Sequence, residues 1–159
     1  MADAFSIPPT ERFFEDYTIG ATYLCGSFTV SEDDIVRFAA AYDPQAMHVD
    51  PELARAGPFG EVIASGWHTV ALSVRLLVAT FIPHNGLPAP GTDELRWLLP
   101  VRPGDTLTVH ATVTEARRSR SKTDRGLLHT FLEVLNQKNE VVMTMRPVLM
   151  VRVRGPGGG

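Results

Sequence analysis

The apolar segment at residues 66–82 constrains the fold more than any other part of this sequence. Its hydrophobic side chains cover most of the circumference of a helix: Trp67, Val70, Leu72, Val74, Leu76, Leu77, Val78 and Phe81. The segment also contains His68, Ser73 and Arg75 and is shorter than the roughly 20 apolar residues that cross a bilayer, so we interpret it as a buried helix. A helix of this kind has to be wrapped by other elements.

The residues that follow predict the strands that wrap it. Alternation of apolar and polar residues, or enrichment in β-branched types, marks four runs, at residues 94–99, 105–115, 127–135 and 141–153. Residues 136–139 predict a turn between the last two runs, and Pro147 indicates an edge position or a bulge in the final strand.

One further strand and one short helix are predicted before the long helix. Residues 21–30 are rich in aromatic and β-branched types, which favour a strand. Ser31, followed three positions later by Asp34, is typical of a helix start, and apolar residues then recur at helical spacing.

The short helix should end near Tyr42, because Pro44 disfavours helical geometry at Asp43. Residues 43–60 then predict a loop, with one helical turn around residues 51–56. The order of elements shows no strand–helix–strand alternation of the kind that builds a parallel sheet. We therefore expect an α+β fold, in which one antiparallel sheet curves around one apolar helix.

The composition indicates one domain and narrows the classes of partner. A chain of 159 residues with 44% hydrophobic content can bury one core. The formal net charge of −3, with basic residues spread along the chain, gives no electrostatic footprint for nucleic acid. Cys25 is the only cysteine, which excludes an internal disulfide and a Cys-based zinc site and suits a reducing cytoplasm.

The two ends of the chain differ in composition from the rest. The N-terminal stretch lacks the basic start and continuous apolar segment of an export signal, which also favours the cytoplasm. The glycine-rich C-terminal end offers few side chains to bury. We expect an N-terminal extension at residues 1–14, one domain at residues 15–153 and a flexible tail at residues 154–159.

A candidate acid/base pair lies in the loop after the short helix. Asp43 and His48 are five residues apart, in a segment stiffened by Pro44, so that a carboxylate and an imidazole can converge. The same residues also suit structural roles, with Asp43 capping the turn and His48 bonding a backbone carbonyl. Gly66, at the expected start of the long helix, has free backbone N–H groups around it that favour negative charge, or it is only a flexible residue before the helix.

Three segments together resemble one family. DPQAMH at residues 43–48 and FGEVIASGW at residues 59–67 are similar to the Asp-x-Asn-Pro-x-His and Ile-Ala-x-Gly signatures of MaoC-like dehydratases, which are related to (R)-specific enoyl-CoA hydratases. LRWLLPVRPGDTL at residues 95–107 is similar to the family's strand and Pro-Val-x-x-Gly-Asp turn, in which we interpret Asp105 as structural. The resemblance extends over about residues 15–153.

The resemblance implies a hotdog fold, paired so that an acyl thioester lies along the interface, and we expect a homodimer or a dimer of dimers. Asp43 matches the catalytic base, His48 the histidine that holds water and relays its proton, and Gly66 the glycine whose N–H faces the thioester oxygen. The implied reaction interconverts trans-2-enoyl and 3-hydroxyacyl thioesters and needs no cofactor beyond the coenzyme A of the substrate. Gln45 and Ala46 replace the family's usual Asn and Pro, which puts the position of the loop and the substrate range in question.

Three other residue groups have competing interpretations. His68 could reach the acyl pocket or could simply bond neighbouring structure. His48, Asp50 and His68 lack the compact spacing of metal ligands, so we expect no metal. Cys25 should be a small buried side chain of the first strand. A cationic stretch between two strands either meets the phosphates of coenzyme A or forms a solvated hairpin tip: Arg117, Arg118, Arg120, Lys122 and Arg125.

Two other functions remain compatible with the sequence. A hotdog thioesterase would direct water at the thioester carbonyl and release a thiol. A non-catalytic binder would keep the fold without turnover, although the presence of both Asp43 and His48 argues against it.

Overall fold

The computed structural model describes Ala2 and residues 4–155. Most of the predicted flexible tail, residues 156–159, therefore lies outside the described residues. Within them the chain forms five strands and four α-helices, in the order β1 (Thr22–Thr29), α1 (Glu32–Tyr42), α2 (Ala46–Val49), α3 (Pro51–Ala56), α4 (Gly66–Thr80), β2 (Leu87–Trp97), β3 (Thr106–Arg118), β4 (Arg125–Leu135) and β5 (Val141–Arg152).

The strands form one antiparallel sheet in the order β1-β3-β4-β5-β2. Strands β3 and β4 alternate buried and less buried residues, as the two-residue period of a strand requires when one face packs on a core. Helix α4 contributes Leu77 to that core, and Phe81 follows at its C-cap. The predicted α+β arrangement, a sheet curved around one long helix, is confirmed and is that of a hotdog fold.

Helix α4 is not wrapped on every side, contrary to the expectation from its composition. Its buried residues are His68, Thr69, Ser73 and Leu77. Trp67 is 57% exposed, and Val74 and Val78 are exposed as well. A single sheet covers one side of a helix, which leaves the opposite apolar face open. A contiguous apolar face of this kind is typical of an interaction surface.

Strand β2 begins well before the predicted strand at residues 94–99. Pro88 and Pro90 lie inside it and conceal it in the sequence, because proline cannot donate to a strand ladder. The sheet tolerates them since β2 is an edge strand that pairs with β5 only.

Pro147 lies in an interior strand, so the prediction of an edge position for β5 is wrong. Strand β5 pairs with both β4 and β2. Pro147 is opposite Thr92 on β2, beside a pairing irregularity between Asp93 and Arg96. Pro147 itself is in regular register with Thr92, so it does not lie at a bulge.

The N-terminal segment closes the C-terminal end of α4. Arg12 is 1% exposed, and its guanidinium donates hydrogen bonds to the carbonyl oxygens of Thr80 and Phe81, both at 2.7 Å. The Tyr17 hydroxyl donates to the same Phe81 oxygen at 2.5 Å. Phe5 lies against Arg12 and Tyr17, so that aromatic side chains surround the buried charge. Carbonyl groups that the helix itself leaves unpaired are thus satisfied.

Candidate active site

Helix α1 brings Asp43 to the site by ending where the sequence predicts. Tyr42 is its last residue, and Asp43 leaves helical geometry with φ −151° and ψ 69°, as the following Pro44 demands. The Asp43 N–H still donates to the Ala39 carbonyl at 2.9 Å. The backbone at Asp43 is thereby fixed, while its side-chain carboxylate is free to turn toward α4.

His48 lies in α2, a single helical turn in a segment for which the sequence pattern predicts a loop. Gln45 is at the N-cap of α2 and makes no side-chain bond to it, so the sequence carries no capping signal there. The imidazole is buried, with 4% of the residue exposed. Its Nδ1 lies 2.6 Å from the carbonyl oxygen of Ile63.

That contact fixes the hydrogen-bonding roles of the His48 ring. A carbonyl oxygen only accepts, so Nδ1 carries a proton and donates it to Ile63. In the neutral ring, Nε2 is then an acceptor. It lies 3.6 Å from Oδ2 of Asp43, too far for a direct hydrogen bond. Two acceptor atoms thus face each other across a short gap.

The Asp43 carboxylate is held by two donors. The Ser65 hydroxyl donates to Oδ2 at 2.7 Å, and the Gln45 amide donates to Oδ1 at 2.8 Å. These hydrogen bonds, that from Ser65 first and that from Gln45 second, lower the pKa of Asp43 below its usual range. The carboxylate is therefore ionised and oriented.

Gly66 is the first residue of α4, as predicted, and Ser65 caps the helix by accepting a hydrogen bond from the Trp67 N–H at 3.2 Å. The first N–H groups of a helix lack acceptors within the helix and favour negative charge. The indole of Trp97 covers Gly66 so closely that a Cβ added here would overlap it. Glycine is therefore required sterically at this position.

A cavity of about 280 Å³ adjoins these groups. His48, Gly66 and Thr69 lie in its wall, and the remaining wall residues are apolar: Phe59, Ile63, Ala64, Trp97, Leu98, Leu99, Pro100 and Val101. Asp43 is not a wall residue and lies just beyond His48. The structure thus brings Asp43, His48 and Gly66 together at one side of an apolar cavity.

Two residues of the site were not singled out from the sequence. Ser65 is fully buried between Asp43 and α4. A serine directly before a predicted helix is a capping signal that would have identified part of its role. Trp97 packs edge-on against Trp67, with ring centroids 5.3 Å apart, and covers Gly66. No sequence signal links the end of β2 to the start of α4.

The other candidates lie elsewhere or contribute little here. His68 is buried but faces a second cavity instead of the one beside His48. Cys25 is buried in β1, as predicted. In the cationic hairpin, Arg118 pairs with Glu15 at 2.5 Å and Arg125 with Asp124 at 2.8 Å.

The described residues contain neither a metal-binding cluster nor a membrane-spanning helix. Over Ala2 and residues 4–155, no group of three or more His, Cys, Asp or Glu side chains is arranged to hold a metal ion. No helix in the same part of the chain is long and apolar enough to cross a membrane.

Comparison with known proteins gives consistent results. The MaoC-like domain family matches residues 16–130. A crystal structure of a MaoC-like dehydratase from Rhodospirillum rubrum superposes with a TM-score of 0.84 at 39% identity, covering 91% of this chain and 99% of that one.

Two curated sequences match over most of their length. An (R)-specific enoyl-CoA hydratase of Rhodospirillum rubrum is 30% identical over 91% of this chain and 94% of its own. The uncharacterized protein YdeM of Bacillus subtilis is 36% identical over 78% of this chain and 87% of its own length. Several other relatives are longer, and the chain spans 32% to 42% of their length.

Proposed function

Because the chain belongs to the MaoC-like dehydratase family and is an enzyme of the hydratase and dehydratase class, we propose a specific reaction for it. In this reaction the enzyme adds water reversibly to trans-2-enoyl thioesters. The products are 3-hydroxyacyl thioesters, and the reaction needs no cofactor apart from the coenzyme A of the substrate. The observation that carries the proposal is the 3.6 Å gap between Asp43 Oδ2 and His48 Nε2, two acceptors at the edge of an apolar cavity.

The gap suits a water molecule that donates one proton to each acceptor. Its oxygen lone pair is then free to attack the β-carbon of the enoyl group. As the carbon–oxygen bond forms, the water loses one proton to Asp43 and keeps the other, bonded to His48 Nε2, as the hydrogen of the product hydroxyl. The proton taken by Asp43 then passes to the α-carbon, with His48 relaying it, so that both residues end in their starting protonation states. The same groups run the reaction backwards as a dehydration. The hydrogen bond from His48 Nδ1 to Ile63 keeps Nε2 as the acceptor throughout the approach of the water.

The N-terminus of α4 is the proposed site for the thioester oxygen. Negative charge develops on this oxygen when the β-carbon is attacked, and the N–H of Gly66 is among the free donors at that helix end. A preorganised donor at such a position is worth about a hundredfold to a thousandfold in rate. Because Ser65 bonds both Asp43 and the first turn of α4, base and oxyanion donor are held in one fixed relation.

We also propose that the protein acts as a homodimer. The exposed apolar face of α4 ends at Trp67, and its N-terminal turn lies beside the cavity. Leu98 and Leu99, just after the edge strand β2, are exposed and line the same cavity. A second copy that covers this face symmetrically would bury the apolar face of α4 together with Leu98 and Leu99, and would close the cavity.

The proposal is tested by assaying a panel of trans-2-enoyl-CoA substrates for loss of enoyl absorbance and for thiol release in parallel. Asp43→Asn and His48→Ala should each lower kcat/KM by about a hundredfold or more, because each removes an acid/base group. Circular dichroism and thermal unfolding control for folding. Thiol release would identify a thioesterase, and acyl-CoA binding without turnover would identify a binder; either result would overturn the proposal.

A further inference from the structure

The cavity beside His48 is the one that adjoins the proposed reaction site. His48 and Gly66 both lie in its wall, whereas a second cavity, of about 450 Å³ between α1 and α4, contains neither. In the proposed reaction the β-carbon of the substrate lies at His48 and the thioester oxygen lies at Gly66. The cavity that these two residues share, of about 280 Å³, is therefore where the rest of the acyl group has room.

The wall of this cavity suits apolar groups. Residues 97–101 come from the end of β2 and the segment after it, and further apolar residues come from the loop before α4: Phe59, Ile63 and Ala64. The polar side chains of the wall are those of His48 and Thr69, and within the described part of the chain no lysine, arginine, aspartate or glutamate lies in it. Burial of an apolar acyl chain here is favourable, whereas a carboxylate would lose its hydration without gaining a charged partner.

The charged groups next to the cavity do not favour a carboxylate inside it. Arg102 donates a hydrogen bond to the carbonyl oxygen of Phe59, a wall residue, at 3.0 Å, and the same nitrogen lies 2.6 Å from Oε1 of Glu61. The charge of Arg102 is therefore already compensated. Asp43 lies just beyond His48 and is ionised, because its hydrogen bonds lower its pKa. A second carboxylate in the cavity would be repelled by it.

The volume of the cavity limits the length of the acyl group. A dry protein cavity of about 150 Å³ holds one benzene molecule, which has six carbon atoms. In the same proportion, a cavity of about 280 Å³ holds roughly eleven atoms, which include the oxygen of the reacting water. Acyl groups of up to about ten carbons therefore fit, and longer ones do not.

Trp97 is the largest side chain of the wall and lies next to the proposed thioester site. Its indole covers Gly66 so closely that a Cβ added there would overlap it. Trp67 packs edge-on against this indole, with ring centroids 5.3 Å apart, and is not itself a wall residue. The Trp97 indole thus takes up space beside the reacting groups, and a smaller ring would leave more room for an acyl group.

We propose that this enzyme acts on thioesters of uncharged acyl groups with up to about ten carbons, and that Trp97 and Leu99 are specificity-determining residues. The inference rests on the proposed function and names its substrate class. Trp97 limits the room in the cavity. Leu99, which is 42% exposed, keeps the wall free of charge where the cavity meets solvent. Long-chain acyl groups and acyl groups with a terminal carboxylate are then poor substrates.

The selection against charge is tested with two acyl groups of the same length, in trans-2-hexenoyl-CoA and trans-5-carboxy-2-pentenoyl-CoA. The second ends in a carboxylate where the first ends in a methyl group. Wild-type kcat/KM should be at least about 100-fold lower for the carboxylate, because no cation in the wall replaces its lost hydration. Leu99→Arg should reduce this ratio about tenfold or more, since a guanidinium can pair with the carboxylate.

The matched control is Leu24→Arg. Leu24 of β1 is 42% exposed, as Leu99 is, and it lies outside the cavity wall. The same substitution at Leu24 should therefore leave the ratio unchanged. Because Leu99 is also on the face proposed for dimerisation, the readout is the ratio of the two substrates and not the absolute rate.

The length limit is tested with unbranched substrates from crotonyl-CoA to trans-2-hexadecenoyl-CoA. Each added methylene should raise kcat/KM by roughly two- to fourfold until the acyl group has about ten carbons, and kcat/KM should not rise further. Trp97→Phe, which removes one ring of the indole, should move the end of this rise to longer acyl groups. Trp67→Phe makes the same change in the neighbouring tryptophan outside the wall, and should leave the end of the rise in place.

The outcomes separate this inference from the proposed function. Equal wild-type kcat/KM for the two acyl groups of matched length would overturn the inference, as would a rise that continues to the longest substrate. Equal effects of Leu99→Arg and Leu24→Arg on the ratio, or of the two Trp→Phe variants on the length limit, would also overturn it. The wild-type comparisons decide the matter if a variant fails to fold. Failure of wild-type protein to hydrate any of these thioesters would instead refute the proposed function.

Discussion

The two ends of α4 differ in whether their backbone polar groups have hydrogen-bond partners. At the C-terminal end, Arg12 and Tyr17 donate to the last carbonyl groups, and the rings of Tyr17 and Phe81 pack against each other. At the N-terminal end, Gly66 offers free N–H donors, His68 Nδ1 has no partner among the described residues, and Trp67 is exposed. The first end is built for stability, whereas the second keeps free backbone N–H donors that a ligand can use. Substitutions at the two ends should therefore have separable effects.

The largest expected effect is at the N-terminal end, with Gly66→Ala. The added Cβ overlaps the Trp97 indole, so either the first turn of α4 or the ring must move away from the thioester site. We expect kcat/KM for an enoyl thioester to fall about 100- to 1000-fold, the value of a displaced oxyanion donor.

The matched control is the double variant with Trp97→Ala, which removes the overlapping ring. If steric displacement is the cause, Gly66→Ala should lower kcat/KM less in the Trp97→Ala background than in the wild-type protein. Wild-type kinetics in Gly66→Ala would show that this end of α4 does not contact the reacting thioester.

The next effect is at the other end of α4 and concerns stability. Arg12→Met keeps much of the apolar stem but removes the donors to the carbonyl oxygens of Thr80 and Phe81, in hydrogen bonds that are partly buried and buried, respectively. The free energy of unfolding should fall by about 2–3 kcal/mol, the usual loss when charged hydrogen bonds in the interior are broken. Denaturant unfolding measures it, with Arg55→Met on the exposed surface of α3 as control. A large fall in kcat without a loss of stability would contradict the separation of the two ends.

The sequence predicts the features of this molecule that depend on local rules. Pro44 sets the end of α1, alternation reveals β3, and Gly66 marks the start of α4. What it does not predict depends on distant contacts. Helix α2 has no capping signal. The hydrogen bond between Ser65 and Asp43 joins residues 22 positions apart, which no local pattern reveals.

The exposed apolar face of α4 is another feature of the fold that local sequence patterns do not predict. Composition predicts an apolar helix but does not tell whether its own sheet or another surface covers each side. The sheet covers Leu77 and leaves Val74 and Val78 exposed. The second cavity likewise arises from the packing of α1 against α4. The sequence pointed to His68 as a candidate residue but did not predict the cavity that it lines.

A smaller effect at the N-terminal end is expected from Ser65→Ala. The hydroxyl donates to Asp43, and its hydrogen bond is the largest cause of the lowered pKa of that carboxyl. Its removal raises the pKa of Asp43, so the acid limb of the pH profile of kcat/KM should move to higher pH. We also expect about a tenfold fall in kcat/KM at neutral pH and about 1 kcal/mol less stability from the lost helix cap.

The control for this variant is Ser65→Thr, which keeps a hydroxyl at the cap. It should preserve the acid limb of the pH profile even where added bulk lowers the rate. An unchanged acid limb in Ser65→Ala would show that the base of the reaction is a group other than Asp43.

The smallest effect is expected from Gln45→Asn, which introduces the residue type usual in the family. The shorter amide draws back from Asp43 Oδ1, which it now reaches at 2.8 Å, while the bond from Ser65 remains. The acid limb should therefore shift in the same direction as for Ser65→Ala but less, with a fall in kcat/KM of about threefold, the value of one weakened hydrogen bond at an exposed position. A shift larger than that of Ser65→Ala would mean that the loop, and not α4, sets the ionisation of the base. Because Gln45 lies on the loop and Ser65 on the helix, the ratio of the two shifts measures how far the N-terminal end of α4 controls the chemistry.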